Sequence, residues 1–490
     1  MNIKEFFRHH NIINNPFAED ESQNDTIFRD HCSKSFFHPA WDKVYGNPID
    51  PSTAIIFGSK GSGKTAIRLQ LEECSWNHNQ LHPTKRVFVI KYYEFNGFLA
   101  QLQERLGENF PKEPEKILEQ IEIQDHIDSI LIQGVTDLVN QILQQTKNNN
   151  IKQLKLDSST INSLDQNQRK DLLLLATIYD QAEEGEPCFR WKKLRQRLKV
   201  FNWGGWLDQF WDYLSLFIIS IGFLFLLYII LISFVTFIYL IIVGYCYYSK
   251  RISFYKTLST QLWNNCRVRR QNISDLSSLL REQSRSFWKS SVMPRSRQAV
   301  TRYELLDKFQ NILKSLNYSG IFVLVDRIDE PELVNGKSEA MRLLLFPLLN
   351  NKLLRHPGIG FKLLLPEELE KLVYREFNNS EDRMRLDKQN VIFKFDWTGE
   401  TLFDLMAERM KACSQPEQWP LPLDLFDPKI NVEQLVSALA ALRTPRNLFK
   451  FLYDLISEHC KKHTNNKPEY RISAETFEYV KGLNASRLIK

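Results

Sequence analysis

The feature that most constrains the fold is a glycine-rich run that follows an apolar strand pattern and precedes a helix pattern. Residues 53–57 predict a buried strand, residues 66–71 predict the start of a helix, and the run between them has the pattern G-x-x-x-x-G-K-[ST]. In this context the loop N–H groups and the helix N-terminus surround an anion. We therefore predict a nucleotide phosphate site formed by Gly58, Ser59, Lys60, Gly61, Ser62, Gly63, Lys64 and Thr65. Lys64 would reach the β- and γ-phosphates, and the Thr65 hydroxyl would hold Mg²⁺.

The second constraint is an uncharged run. Residues 213–249 are 37 residues without a charged side chain, well beyond the length of about 18 that marks a membrane-span candidate. One straight helix would be about 55 Å long, against a hydrocarbon core of about 30 Å. Lys and Arg flank the run on both sides, which predicts that both flanks lie in the cytoplasm and that the number of crossings is even. We predict a transmembrane hairpin, with a re-entrant pair or a single tilted span as alternatives.

Positive charge continues beyond this run. Residues 250–302 contain twelve Lys or Arg residues against two acids, and the densest cluster is Arg267, Arg269 and Arg270. A solvated face with positive-inside bias is the first interpretation, and attraction to anionic lipid headgroups is the second. Nucleic acid is disfavoured because neither an interleaved aromatic groove nor a reading helix can be identified. The formal net charge of the whole chain is only +6, which by itself does not argue for nucleic acid.

Cysteine usage and the N-terminus bear on the compartment. The seven cysteines are scattered, without C-x-x-C or zinc-ligand spacing, which favours a reduced, cytosol-facing protein. Residues 1–10 lack the apolar core of a secretory signal. We expect residues 1–50 to be a lead-in that packs against the nucleotide domain.

A second strand carries the other half of the predicted site. Residues 321–325 are five apolar residues, and Asp326 follows them. The pattern indicates a buried parallel strand with a carboxylate at its C-terminal tip, where ligand sites of α/β sheets lie. Asp326 would bind Mg²⁺, directly or through water, opposite Thr65. Either Asp329 or Glu330 could polarise the attacking water, and spacing does not choose between them, although Glu330 has the longer reach.

Further strands are predicted over 85–95, 359–365 and 391–395, and residues 98–200 and those from 401 onwards read as mostly helical. Glu367 at the end of the 359–365 strand is expected to be a helix N-cap or first-turn acid rather than a phosphate sensor. Thr444 and Pro445 predict a helix start, with Thr444 as N-cap. Arg446 would then lie in a first turn that disfavours a cation, so it is either a phosphate contact or a plain surface arginine.

The loop, the Asp326 strand and the helical C-terminus with Thr444-Pro445-Arg446 resemble the AAA+/STAND branch of P-loop NTPases. A membrane hairpin between the two nucleotide-binding motifs resembles the KAP P-loop NTPases in particular. The resemblance implies an extra strand, here 359–365, between the two nucleotide-binding strands. KAP proteins carry Asp-Asp-Leu-Asp-Arg where this chain has Asp326-Arg327-Ile328-Asp329-Glu330.

The expected fold class is α/β: a parallel P-loop NTPase sheet flanked by helices, with an inserted transmembrane helical hairpin and a C-terminal helical lid. The expected order is a lead-in over 1–50, the first half of the NTPase domain over 51–105, a helical insert over 106–212, the hairpin over 213–249, a basic juxtamembrane helical segment over 250–318, the second half of the NTPase domain over 319–400, and the lid over 401–490.

Two functions are consistent with these patterns. The first is a membrane-anchored ATPase that uses Mg²⁺ and ATP to drive a conformational or assembly switch at the cytoplasmic face of a bacterial inner membrane, in defence or signalling. Its site would be Lys64, Asp329, Glu330 and Arg446 around the nucleotide, with Thr65 and Asp326 on the metal. The second is a nucleotide-gated membrane scaffold with little or no hydrolysis, suggested by Arg327. ATP rather than GTP is implied by the resemblance alone, and the expected partners are the lipid bilayer and further copies of the chain or another protein.

Overall fold

The chain divides into two compact units. The first comprises Met1–Tyr93 and Gly320–Lys490, and the second comprises Glu94–Ser319. The computed structural model describes residues 1–107, 110–144, 154–181, 187–200, 234–379, 390–416 and 418–488. The polar loop predicted at 147–150 lies outside the described residues.

A five-stranded parallel sheet forms the centre of the first unit. Its strands are β1 (Ala54–Gly58), β2 (Arg86–Tyr92), β3 (Tyr318–Val325), β4 (Ile359–Pro366) and β5 (Asn390–Ile392). They lie in the order β2-β3-β4-β1-β5, so β4 separates β1 from β3. This confirms the α/β class and the predicted position of the 359–365 strand.

The apolar sequences of the central strands fit their burial. Every residue of β1 and of β4 is buried, as expected for parallel strands covered on both faces. The prediction for the last strand was too long: β5 ends at Ile392, and Phe395 then donates its N–H to the Phe57 carbonyl at 3.0 Å from outside the strand. The strand predicted over 85–95 is also shorter in the structure: β2 ends at Tyr92, and a helix begins at Phe95.

Helices cover the sheet of the first unit. Beneath it, Ile56 of β1, Phe322 of β3 and Leu364 of β4 pack against Ile67 and Leu71 of the helix that follows the loop. The helices, including one π-helical and one 3-10 turn, are Ile3–His9, Phe28–Cys32, Ser33–Ser35, Trp41–Tyr45, Lys64–Leu81, Ser338–Leu345, Asn351–Leu354, Glu368–Asn379, Gly399–Ala412, Pro422–Leu425, Val432–Ala440, Pro445–Lys462 and Ala474–Leu488.

The lead-in packs in two places within the first unit. Phe6, Phe7 and Phe17 enter the apolar core of the C-terminal helices, whereas Trp41 and Val44 pack against the sheet core. The N-terminal segment therefore belongs to the same packed body as the sheet, as the lead-in prediction requires.

The second unit is helical. Its helices are Phe95–Leu106, Pro114–Leu118, Ile123–Leu143, Ser158–Asn162, Gln166–Tyr179, Pro187–Arg197, Phe234–Asn265, Ile273–Arg281, Arg285–Ser290 and Ala299–Ser315. Asp125 and Glu122 form a capping box at the start of Ile123–Leu143. The helical prediction for 98–200 is thus confirmed where the structure describes it.

Several arginines of the basic segment are buried in this unit rather than solvated. Arg302 is fully buried against Asp128, and Arg267 pairs with Asp125. Arg269 is 1% exposed and donates to the Thr177 carbonyl at 2.8 Å. The solvated-face interpretation is wrong for these residues, because acids from a helix some 140 or more positions earlier neutralise two of them.

The predicted membrane hairpin lies largely outside the described residues, which resume at Phe234. Among the helices that the structure describes, none is both long and apolar enough to cross a membrane.

Candidate functional site

The predicted phosphate loop connects the C-terminal end of β1 to the helix Lys64–Leu81. Gly61 and Gly63 have φ values of +87° and +98°, a left-handed conformation that favours glycine. A Cβ on Gly61 would lie 2.7 Å from the Cβ of Arg446, so no larger residue fits there without a shift. These two glycines therefore allow the tight turn of the loop that leads into the helix at Lys64.

Lys64 begins the helix, and its side chain reaches back to the loop. Its Nζ donates to the carbonyl oxygens of Gly58 at 2.6 Å and Ser59 at 3.0 Å. Burial lowers the pKa of the Lys64 amine, whereas the carboxylates of Asp326 and Asp329 act to raise it. The amine is therefore folded onto the loop and lies within electrostatic range of the acids at the end of β3.

Asp326 follows the last residue of β3 and faces the loop. The Thr65 hydroxyl donates to its Oδ2 at 3.4 Å, although 261 positions separate the two residues. Its Oδ1 accepts the N–H of Arg327 at 3.0 Å. Burial raises the pKa of Asp326, and Arg68 opposes the shift. The two residues predicted to hold the metal are thus brought together.

Arg68 is a partner of Asp326 that the sequence reasoning missed. It lies one turn after Thr65, is almost fully buried, and donates from Nε to Asp326 Oδ2 at 3.1 Å. Its guanidinium also covers the ring of Tyr93 at 4.2 Å and pairs with Glu72 at 2.7 Å. No local pattern indicates this contact, because Asp326 lies 258 positions away in the sequence.

The two candidate catalytic acids differ in their surroundings. Glu330 has a side chain that is 59% exposed, and it pairs with Arg327 at 3.5 Å. Burial raises the pKa of Glu330, and Arg327 opposes this. Asp329 is half-buried, and its charge acts on the Lys64 amine. Arg327 has a left-handed φ of +62°.

Arg446 lies against the loop from the side of the C-terminal helices. Thr444 caps the helix Pro445–Lys462 by accepting the N–H of Asn447, so Arg446 is in its first turn as predicted. The Arg446 N–H points to the Gly61 carbonyl at 3.4 Å. Glu367 is exposed and directly precedes the helix Glu368–Asn379, which agrees with the expected helix-start role.

Comparison with models of protein families, with curated protein sequences and with solved structures finds no match. The resemblance to KAP P-loop NTPases therefore stays a prediction from the motifs and their order.

A buried tryptophan supports the loop and was also missed from the sequence. Trp397 Nε1 donates to the Ser62 carbonyl at 2.8 Å, and its ring lies beside those of Phe36 and His38. His38 donates from Nε2 to the Asp396 carbonyl at 3.2 Å, since its Nδ1 accepts the Ala40 N–H. Aromatic residues of the lead-in thus fix the residue that holds the loop.

The residues of the site fit a nucleotide phosphate with Mg²⁺. The hydroxyl of Ser62 in the loop is buried without a hydrogen-bond partner, so it is available to donate to a phosphate oxygen. The hydroxyl of Thr65 and the carboxylate of Asp326 are oxygen ligands of the kind that Mg²⁺ prefers. The described residues hold no cluster of three or more His, Cys, Asp or Glu that could bind a metal by itself.

Proposed function

We propose that this chain binds Mg²⁺ and ATP at the loop of residues 58–65 and hydrolyses the nucleotide to drive a conformational or assembly switch. The observation that carries the proposal is the contact between Thr65 and Asp326 at 3.4 Å. This contact joins the start of the helix Lys64–Leu81, which follows β1 and the loop, to the C-terminal end of β3. In the sheet, β4 lies between β1 and β3. A phosphate loop and a strand-end aspartate in this arrangement are the recurring parts of P-loop NTPases.

Each residue has a distinct role in this proposal. The loop N–H groups bind the phosphate oxygens, and the Lys64 amine leaves the two loop carbonyls to neutralise the β- and γ-phosphates. Thr65 and Asp326 would hold Mg²⁺, which supplies charge neutralisation on the phosphates. Asp326 would hold the ion directly or through water, and its oxygens are oriented by Arg68 and by the Arg327 N–H.

The acid that orients the water is Asp329 in this proposal. Its carboxylate acts on Lys64, whereas that of Glu330 is more exposed and paired with Arg327. We expect Asp329→Asn to lower ATP turnover by about 100-fold or more, as removal of a general base does, and Glu330→Gln to change it only a few-fold. Turnover with and without Mg²⁺, together with ATP affinity by calorimetry, measures both.

The same measurements can contradict the proposal at two levels. A larger loss in Glu330→Gln than in Asp329→Asn would transfer the role to Glu330. Failure of the wild-type chain to bind any nucleoside triphosphate would reject the function itself.

A nucleotide-gated scaffold with little hydrolysis is the second candidate, and the Arg327–Glu330 ion pair favours it. A cation occupies the position next to Asp326, and it engages one of the two nearby acids at 3.5 Å. Tight Mg²⁺-dependent ATP binding with negligible turnover would select this candidate, with the nucleotide acting as a conformational switch.

We further propose that the chain is attached to a membrane through residues 213–249, with the nucleotide site on the cytoplasmic side. The described part of this run supports the proposal, because Tyr239, Ile242 and Tyr245 are 65%, 53% and 69% exposed. Exposed cations follow at Lys250 and Lys256, where anionic headgroups would lie.

Membrane attachment predicts that the full chain floats with phosphatidylglycerol vesicles and stays with them after an alkaline carbonate wash. The reason is that apolar insertion, unlike headgroup attraction, does not depend on charge. Release by high salt would reduce the attachment to a headgroup contact. Absence of flotation with these vesicles or with neutral phosphatidylcholine vesicles would reject it.

A further inference from the structure

A strap of the N-terminal segment, residues 16–25, lies across the C-terminal helices of the first unit. Arg409, which is 1% exposed, fixes both of its ends. Its Nε donates to the Pro16 carbonyl at 2.7 Å, and its Nη1 pairs with Asp25 Oδ2 at 2.6 Å. The Arg409 guanidinium also covers the ring of Phe449 at 4.4 Å. Because these contacts are buried, the strap has a defined position on the helices.

Asp20 lies between the two anchored ends and meets two cations. Its Oδ2 is 3.4 Å from Arg446 Nε and 3.6 Å from Lys450 Nζ, and these cations are one turn apart on the helix Pro445–Lys462. Arg446 also touches the phosphate loop through Gly61. The strap therefore places a carboxylate on an arginine that contacts the loop.

A carboxylate and a terminal phosphate are alternative ligands for the same guanidinium. The Asp20 and Arg446 side chains are 34% and 25% exposed, so solvent reaches the pair and its exchange costs little. A γ-phosphate carries more negative charge than Asp20 and is absent from a diphosphate. It can therefore compete for Arg446 only in the triphosphate state.

We propose that Asp20 is an internal competitor of the γ-phosphate, and that a bound triphosphate releases the middle of the strap by taking Arg446 from it. The strap then distinguishes triphosphate from diphosphate and transmits the difference to the surface of the C-terminal helices. This inference rests on the proposed nucleotide function, since it requires a phosphate in the loop.

The test compares Asp20→Asn with Glu19→Gln, a neighbouring exposed acid whose substitution removes the same charge. We expect Asp20→Asn to bind Mg·ATP about twofold to fivefold more tightly, the most that one partly exposed ion pair can supply. Its Mg·ADP affinity should change by less than about twofold, and Glu19→Gln should leave both affinities unchanged. In an Arg446→Gln background, the Asp20→Asn substitution should have no further effect on ATP affinity.

Hydrogen exchange of the wild-type chain gives a second readout that needs no variant. Mg·ATP should accelerate exchange in residues 18–22, and Mg·ADP should not. The strap proposal would be wrong if Asp20→Asn changed the Mg·ATP and Mg·ADP affinities equally, or if Mg·ATP left hydrogen exchange of residues 18–22 unchanged. Either result would leave the proposed nucleotide site in place. If Asp20→Asn binds Mg·ATP and the wild-type chain does not, the competition is supported. If neither the wild-type chain nor Asp20→Asn binds Mg·ATP, both the strap proposal and the nucleotide function are rejected.

Discussion

Lys64→Ala is expected to reduce ATP turnover by about 10²- to 10³-fold, the loss typical of removing one preorganised charge from a transition state. The Lys64 amine is held inside the loop by the carbonyls of Gly58 and Ser59, at 2.6 and 3.0 Å. No other cation is placed in this way among the described residues of the loop. Turnover and Mg·ATP affinity of the purified chain are the quantities to measure.

Lys60→Ala is the matched control, because Lys60 belongs to the same loop but is exposed. Its loss should change turnover only a few-fold, since an exposed charge is screened by solvent. Thermal unfolding of both variants would show that the fold is retained. Equal ATP affinity and turnover in Lys64→Ala and the wild-type chain would contradict the assigned role of Lys64.

Local patterns predicted the sheet and the position of the loop. The apolar runs of β1, β3 and β4 are typical of strands buried on both faces, and the glycine spacing of residues 58–65 allows few alternatives. The end of β5 could not be predicted in this way. Phe393 and Phe395 have strand-forming side chains, but β5 ends at Ile392, and Phe395 hydrogen-bonds to the Phe57 carbonyl from outside the strand.

Long-range partners account for what the sequence reasoning missed. Arg68 and Asp326 are 258 positions apart, and Trp397 and Ser62 are 335 apart. Neither contact leaves a local pattern, because periodicity reports which face of an element is buried and not which residue covers it. The same reason explains Arg267 and Arg302, whose acidic partners lie on the earlier helix Ile123–Leu143.

Arg302→Met is expected to destabilise the helical second unit by about 3–5 kcal/mol, because it leaves a buried carboxylate without its cation. Arg302 and Asp128 are both fully buried, with Arg302 Nη2 3.3 Å from Asp128 Oδ2. Arg302 also donates to the Asn265 carbonyl at 2.7 Å, and the Tyr179 hydroxyl donates to Asp128 at 2.8 Å. One substitution therefore disturbs contacts among four helices or their ends.

Arg297→Met is the control for this prediction. Arg297 pairs with Glu122 in the same unit, but their side chains are 44% and 42% exposed, so its loss should cost less than about 1 kcal/mol. Urea-dependent hydrogen exchange of the amides in Ile123–Leu143 and Ala299–Ser315 reports on this unit alone. If Arg302→Met and Arg297→Met lowered the free energy of unfolding by similar amounts, burial of the Arg302–Asp128 pair would not be the cause of the predicted loss.

The loss in Arg302→Met should also depend on pH. Burial raises the pKa of Asp128 to about 6 although Arg302 opposes the shift, and without Arg302 the pKa should rise further. A carboxyl group whose pKa is higher in the folded state binds more protons there, so folding becomes less favourable as pH rises through that range. The deficit of Arg302→Met should therefore be smaller at about pH 5 than at about pH 8. Asp128→Asn in the same chain should remove this pH dependence and recover part of the stability, because the buried charge is then absent.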